Sequence, residues 1–236
     1  MIPVLQCTHR ALGELCADAN APLWRELPGV HFADAITGAA PKQGTEVRAA
    51  WSDDEWRLLF VADDSDPWAT MTQRDAPLYE EETVEVFFDP CGDLQSYFEI
   101  EVNPLGAVLD LVFRKSRSGY KGDRAWDCEG LQTLVRRHAE GWTAELAIPF
   151  ASVTNSPPRA GSQWRANFCR IDRPSRDGSL PRELRMVVAA ARELSHPRAF
   201  RRDRVCKVGG VFQPRAGERS EVAGSASEIR EGVLRA

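Results

Sequence analysis

The chain has 236 residues, 43% hydrophobic and 28% charged, with a formal net charge of -5. That length holds one large β domain or two small ones, and the apolar share supports a core. The mild negative charge, with no basic stripe ahead of the tail, gives no reason to expect nucleic acid, and no apolar run is long enough to cross a membrane as a helix.

The N-terminus lacks a basic stretch followed by an apolar one, so no secretory signal is read. This predicts a cytoplasmic protein as written, and an exported one if the start codon is misassigned. Residues 1–23 read as an N-terminal extension, with an apolar run at Ile2–Leu5 and one helical turn near Ala11–Cys16. Pro28-Gly29 marks a turn, and residues 34–41 a loop. Glu46–Trp51 and Trp56–Ala62 read as strands joined by Ser52-Asp53-Asp54-Glu55, a hairpin. A long loop follows from Asp63 to Leu78. Its Asp63, Asp64 and Asp66 are oxygen-rich enough to suit calcium, without EF-hand spacing.

Next come three runs of period-2 alternation: Thr83–Asp89, Tyr97–Asn103 and Ala107–Phe113. Turn residues separate them, which predicts an antiparallel meander. Its polar face is expected to be wet and to carry Glu85, Glu99, Glu101 and Asp110. Residues 115–125 read as a polar loop. Leu131–His138 and Trp142–Ile148 form a second hairpin around Ala139-Glu140-Gly141, Pro149–Val153 a short turn of helix, and Gln163–Ile171 a last strand. Nine or ten short strands with regular turn signals predict an all-β antiparallel sandwich, immunoglobulin- or jelly-roll-like, over residues 24–184. After Leu184 the strand grammar stops. Residues 185–236 form an atypical tail, polar and rich in Gly and Ser from Phe212 onward, a composition that favours disorder.

The six cysteines, Cys7, Cys16, Cys91, Cys128, Cys169 and Cys206, include no C-x-x-C pair and read as reduced, mostly buried thiols. The histidines, His9, His31, His138 and His196, are dispersed, which argues against a shared metal site. Gly119-Tyr120-Lys121-Gly122 is too short for a phosphate loop. Trp51, Trp56, Trp142 and Trp164 lie in strands and are expected in the core. Trp68, Tyr79 and Trp126 lie in or beside loops and are better placed for exposure.

Five segments, in order, resemble the family 9 carbohydrate-binding modules and their stand-alone relatives. They are Glu81–Pro90, Tyr97–Pro104, Trp126–Leu131, Gly141–Phe150 and Trp164–Ile171, within a match of roughly residues 24–173. The resemblance implies a non-catalytic domain, often appended to glycoside hydrolases and linked to carbohydrate catabolism. It implies a sugar held between two aromatic rings, with structural calcium, no other cofactor, and neither nucleic acid nor membrane as partner. Tyr79, four residues before the Thr-Val-Glu strand, takes the place of one clamp aromatic, and Glu85 matches a sugar-contacting carboxylate. Glu101 stands where the well-studied binders have an arginine. Trp68 and Trp126 are further candidate contacts. Two rival readings are a glycoside-processing enzyme using Glu85 and Glu101 as paired carboxylates, and a degenerate domain with a broken site.

The resemblance also implies what should follow Leu184: an Ala-Trp-Ser-Pro segment, an aromatic-His-x-Pro-x-x-Phe-Gly segment and a closing strand. Read one base late, Met186 followed by any valine codon yields tryptophan. Arg192–Arg201 then yields, with permitted third bases, Glu-Asn-Phe-His-Thr-Pro-Glu-Arg-Phe-Gly. This points to a one-base frameshift near Leu184–Arg185. It would remove the closing strand and the second clamp aromatic.

Overall fold

The computed structural model describes residues 4–35, 37–173, 183–187 and 190–195. Its strands, in chain order, are β1 (Val4–His9), β2 (Gly29–His31), β3 (Ala33–Asp34), β4 (Thr45–Trp51), β5 (Glu55–Asp63), β6 (Thr83–Asp89), β7 (Ser96–Val102) and β8 (Val108–Ser116). There follow β9 (Gly119–Asp123), β10 (Gln132–His138), β11 (Gly141–Pro149), β12 (Ser162–Gln163), β13 (Arg165–Asp172), β14 (Glu183–Val187) and β15 (Ala190–Ser195). Two short helices, α1 (Pro22–Arg25) and α2 (Phe150–Val153), and a 3-10 turn at Leu78–Glu80 complete the elements.

These strands form two sheets packed as a sandwich. The first runs β10-β11-β5-β4-β1-β15-β12, with β2 also on β4; the second runs β3-β14-β13-β6-β7-β8-β9. Pairing is antiparallel except at β1, which lies parallel to both β4 and β15. Alternation along the strands supplies the core. Val84, Val86 and Phe88 of β6, with Ala166 and Phe168 of β13, face Trp56, Leu58 and Phe60 of β5 and Trp142 of β11. The Trp56 ring lies 5.5 Å from Phe88, 5.6 Å from Trp164 and 6.1 Å from Phe168, each edge to face, the geometry that the ring quadrupoles favour. Trp51, Trp56, Trp142 and Trp164 are all buried, as expected. At the β10–β11 turn, Gly141 has φ +152°, and a Cβ there would sit 2.0 Å from the Ala62 carbonyl oxygen, so glycine is required.

Several details depart from the sequence pattern. Residues 4–9, read as part of an extension, are a strand inside the first sheet. The expected helical turn at residues 11–16 does not form. The helix lies instead at Pro22–Arg25, with proline in its first turn. The segment around it covers the outer face of the first sheet, where Trp24 and Leu27 pack on Ala50 and Leu59. It is tied down by the buried Glu145 carboxylate, which accepts from the Cys16 and Ala17 amides at 2.9 and 2.6 Å and from Arg57 at 3.0 Å. Residues 115–125, read as a loop, form the β8–β9 hairpin. The strand count exceeds the nine or ten expected, because short edge strands carry little periodicity and β14 and β15 follow the point where the pattern stops. The tail beyond residue 195, with His196, Cys206 and most of the segment read in the shifted frame, lies outside the described residues.

Phe168 is fully buried between the sheets. Phe168→Ala should lower unfolding stability by about 3–5 kcal/mol, measured by denaturant titration.

Candidate functional site

The outer face of the second sheet gathers three carboxylates. Cross-strand register places Glu85 of β6 directly opposite Glu101 of β7 and, on its other side, Cys169 of β13. Glu99 lies beside them, opposite Phe87 and Leu111. Alternation predicts this face, but the expected exposure does not hold: Glu85, Glu99 and Glu101 are only 3%, 1% and 1% exposed. The Thr83 hydroxyl donates to Glu85 Oε1 at 2.9 Å. Burial, reinforced by Glu85, Glu99 and Glu101, holds the Cys169 thiol well above its ordinary range. Asp110 does not belong to this row. It pairs with Ile100, on the opposite side of the sheet, because β8 turns its apolar Leu109, Leu111 and Phe113 outward.

Those outward apolar residues explain why the face is covered. Leu78 packs on Tyr97, Leu109, Leu111 and Phe113, and Met71, Tyr79 and Phe87 join the same cluster. The loop from Trp68 to Glu81 therefore lies across the sheet. Glu81 ties it together, accepting from the Thr70 and Met71 amides at 2.8 and 3.1 Å and from the Thr70 hydroxyl. Burial alone would raise the Glu81 pKa, but these hydrogen bonds and Arg173 outweigh it and leave the carboxyl below its usual value. Asn103 Nδ2 donates to the Met71 carbonyl at 2.8 Å.

Tyr79 sits on the 3-10 turn of this loop. Its carbonyl accepts from Arg173 at 3.0 Å, and its hydroxyl from Arg124 at 3.2 Å. The Arg124 guanidinium also lies 5.9 Å from the ring centroid. Trp68 is half-buried, its indole N–H donating to the Arg173 carbonyl at 3.1 Å. Trp126 is separated from this group, its ring 4.8 Å from that of the core residue Phe98. Of the sequence-derived candidates, the fold thus places Tyr79, Glu85 and Glu101 on one face, Trp68 in the loop that crosses it, and Trp126 elsewhere.

A second acidic group lies at one end of the sandwich. Asp64, Glu82 and Asp172 are buried, with carboxylate oxygens within 4.8 Å of one another. Asp63 and Asp66, read with Asp64 as calcium ligands, are exposed and take no part. Glu82 and Asp172 escape a local reading because one precedes β6 and the other ends β13, far apart in the chain. Arg170 lies on the inward side of β13 with Ala166 and Phe168. It donates to Asp64 Oδ2 at 2.5 Å and to the Asp63 carbonyl at 2.8 Å. Burial, and then the neighbouring Asp64, push the Glu82 pKa up to about 9. Asp75, Asp110 and Asp127 also come together, but the Arg74 guanidinium closes them, 2.6 Å from Asp110 and 2.8 Å from Asp127. The described cysteines are all unbridged.

Residues 17–178 match the model of the family described as carbohydrate family 9 binding domain-like. The chain belongs to this family. No curated protein matches the sequence. Among solved structures, the chain is similar to a family 9 carbohydrate-binding module from Caldicellulosiruptor kristjanssonii in complex with cellotriose. The TM-score is 0.61 at 12% identity, covering 87% of this chain and 99% of that one. A protein from Bacteroides uniformis, assigned as carbohydrate-binding, superposes with a TM-score of 0.63 at 14% identity, covering 84% and 93%. A family 9 module from C. kristjanssonii in complex with glucose gives a TM-score of 0.54 at 14% identity, covering 77% and 85%. At these identities the likeness establishes a shared fold: a family 9 sandwich of two antiparallel-rich sheets.

The Glu82 shift has a defined sign. An acid whose folded pKa exceeds its unfolded one binds more protons in the native state. Stability then falls as pH rises between the ordinary carboxyl value of 4.5 and about 9. In chelator-containing buffer, Glu82→Gln should flatten this decline relative to wild type, read from denaturation midpoints across that range.

Proposed function

We propose that this family 9 domain binds a saccharide at the outer face of its second sheet, without catalysis of its own and in the service of polysaccharide breakdown. The observation that carries this reading is the placement of Tyr79 on the loop that crosses the outer face where Glu85, Glu99 and Glu101 converge; those carboxylates are buried, so a ligand reaches them as this loop shifts aside. Carboxylates accept hydroxyl protons in charge-assisted hydrogen bonds, and a phenol ring offers an apolar face to sugar C–H groups. The relatives solved with cellotriose and with glucose support a gluco-configured ligand class. Trp68 supports the loop through Arg173, and a sugar stacking on Tyr79 shares the ring with, or displaces, Arg124.

Tyr79→Ala should weaken saccharide binding about 3- to 10-fold, the worth of one aromatic contact. Glu85→Gln should weaken it about tenfold or more, the worth of a hydrogen bond to a charged group. Tryptophan-fluorescence titration against mono- and oligosaccharides measures both. The direct opposition of Glu85 and Glu101 keeps a hydrolytic reading in view. Glu85→Gln separates the two, since an enzyme would lose turnover while retaining its substrate.

Calcium belongs, in this reading, to Asp64, Glu82 and Asp172 rather than to the Asp63–Asp66 loop alone. The donor set fits: three buried oxygen ligands suit a hard cation, with Arg170 offsetting one of their charges. Bound there, calcium would supply the positive charge that lets Glu82 ionise in a buried setting, tying loop to sheet. Calcium should therefore raise the melting temperature by several degrees and EDTA should reverse the gain, while Glu82→Gln should abolish the response in a calorimetric scan.

A further inference from the structure

Residues 124–131 connect β9 to β10, edge strands of the two sheets, and so close one side of the sandwich. Trp126 stands in this connection and packs on the core, its ring 4.8 Å from that of Phe98. It is only half-buried, whereas Trp51, Trp56, Trp142 and Trp164 are at most 7% exposed.

Register defines what lies beside it. Phe98 pairs with Val112, and Val112 with Asp123, a row on the inward side of the second sheet. The next row on that side is Ser96, Arg114 and Lys121. Arg114, Lys121 and Asp123 are exposed, so this side is open to solvent past Phe98. The Asp123 carboxylate links the rows to Trp126, accepting from Arg114 at 3.2 Å and from the Ala125 amide at 3.1 Å. Just beyond Trp126, Asp127 accepts from Arg74 at 2.8 Å, and the Cys128 amide donates to Asp110 at 2.7 Å. The backbone on both sides of Trp126 is thus fixed, which makes the indole a pre-organised platform.

A plug for the sandwich edge accounts for the buried part of the ring. It does not account for the polar groups at its rim. Arg114 directly opposite Lys121 sets like charges across a ladder, which costs stability, and a broken local rule of this kind marks a candidate functional position. An indole face accepts the apolar C–H surface of a sugar ring. Beside it, Arg114 and Asp123 offer a charged donor and a charged acceptor, a match to two neighbouring hydroxyls. Lys121 adds a second donor.

We propose that Trp126, Arg114, Lys121 and Asp123 form a second saccharide subsite, on the inward side of the second sheet and so on the opposite side from Tyr79. It takes the ligand class argued for the Tyr79 face and does not depend on that site.

The test is an NMR titration of the full chain with glucose and with cellotriose, following the indole N–H signals. Trp68→Phe and Trp126→Phe identify, each by the loss of one signal, the reporters of the two sites. The Trp126 signal should shift saturably, with a midpoint unchanged by Glu85→Gln and raised about tenfold by Arg114→Ala, the worth of a hydrogen bond to a charged group. Arg114 is exposed and opposes a like charge, so its truncation leaves the fold intact. A shift at Trp68 alone overturns the inference while the saccharide reading of the Tyr79 face stands. A shift at Trp126 alone supports the inference and removes the Tyr79 site. A Trp126 midpoint that follows Glu85→Gln, or that ignores Arg114→Ala, overturns the inference, since the indole then reports the other face or binds without the polar rim. No shift with either sugar overturns both.

Discussion

The buried guanidinium of Arg170 joins the two halves of the sandwich. It leaves β13, in the second sheet, and reaches the Thr45 hydroxyl, the Asp63 carbonyl and the Asp64 carboxylate at the end of the first. A fully buried cation is tolerated only when its charge and donors are met. Asp64, with Glu82 and Asp172 beside it, supplies the charge. Burial, and then the excess of carboxylates, appears as the raised affinity of Glu82 for a proton. The loop that crosses the outer face starts from this point, because Asp64 also accepts the Asp66 amide at 2.9 Å, and Glu82 the Trp68 amide at 3.3 Å. The position of Tyr79 therefore depends on a charge balance at the end of the sandwich, remote in sequence from the strand that supplies Arg170.

The carboxylate face follows a different rule. Placing Glu85 opposite Glu101, and both near Glu99, opposes like charges across a ladder, a destabilising choice in folding terms. Stability alone favours a neutral residue at one of these positions. Sites that break a local rule without structural benefit are where function is commonly found. The covering loop makes the same face partly apolar through Leu78, Tyr79 and Phe87. The result is a buried layer, acidic on β6 and β7 and apolar toward β8.

Much of this was legible in the sequence. The β4–β5 hairpin, the β6–β8 meander and the β10–β11 hairpin follow from period-2 alternation and turn chemistry, and the core tryptophans from their places in strands. The lateral position of Glu85 and Glu101 followed as well. Their burial did not, because alternation reports a face without reporting what packs against it. Asp110 was misplaced for a related reason: β8 is apolar on both faces, so its polar residue does not mark the wet side. The grouping of Asp64 with Glu82 and Asp172 joins segments far apart in the chain, which local spacing cannot express. The cations of residues 114–124 were in plain view, but the stretch was read as a loop, and a loop does not align its side chains. The strand pairing of residues 119–123 divides these cations between the two sides of the sheet, Arg114 with Lys121 on one and Lys115 beside Tyr120 on the other.

The parallel contacts of β1 bear on how the chain reaches this state. Val4 pairs with Ala190 on one side of β1, and Thr8 with Ala50 on the other. The first sheet therefore cannot be completed until residues 190–195 have left the ribosome, whereas the β6–β8 meander can form as soon as it is synthesised. Topologies with such distant pairings fold slowly, because the entropy of closing a long loop is spent before the contacts form. During that interval the edge of β1 that awaits β15 stands open, and it is the place where an incompletely made chain would aggregate or swap strands with another copy.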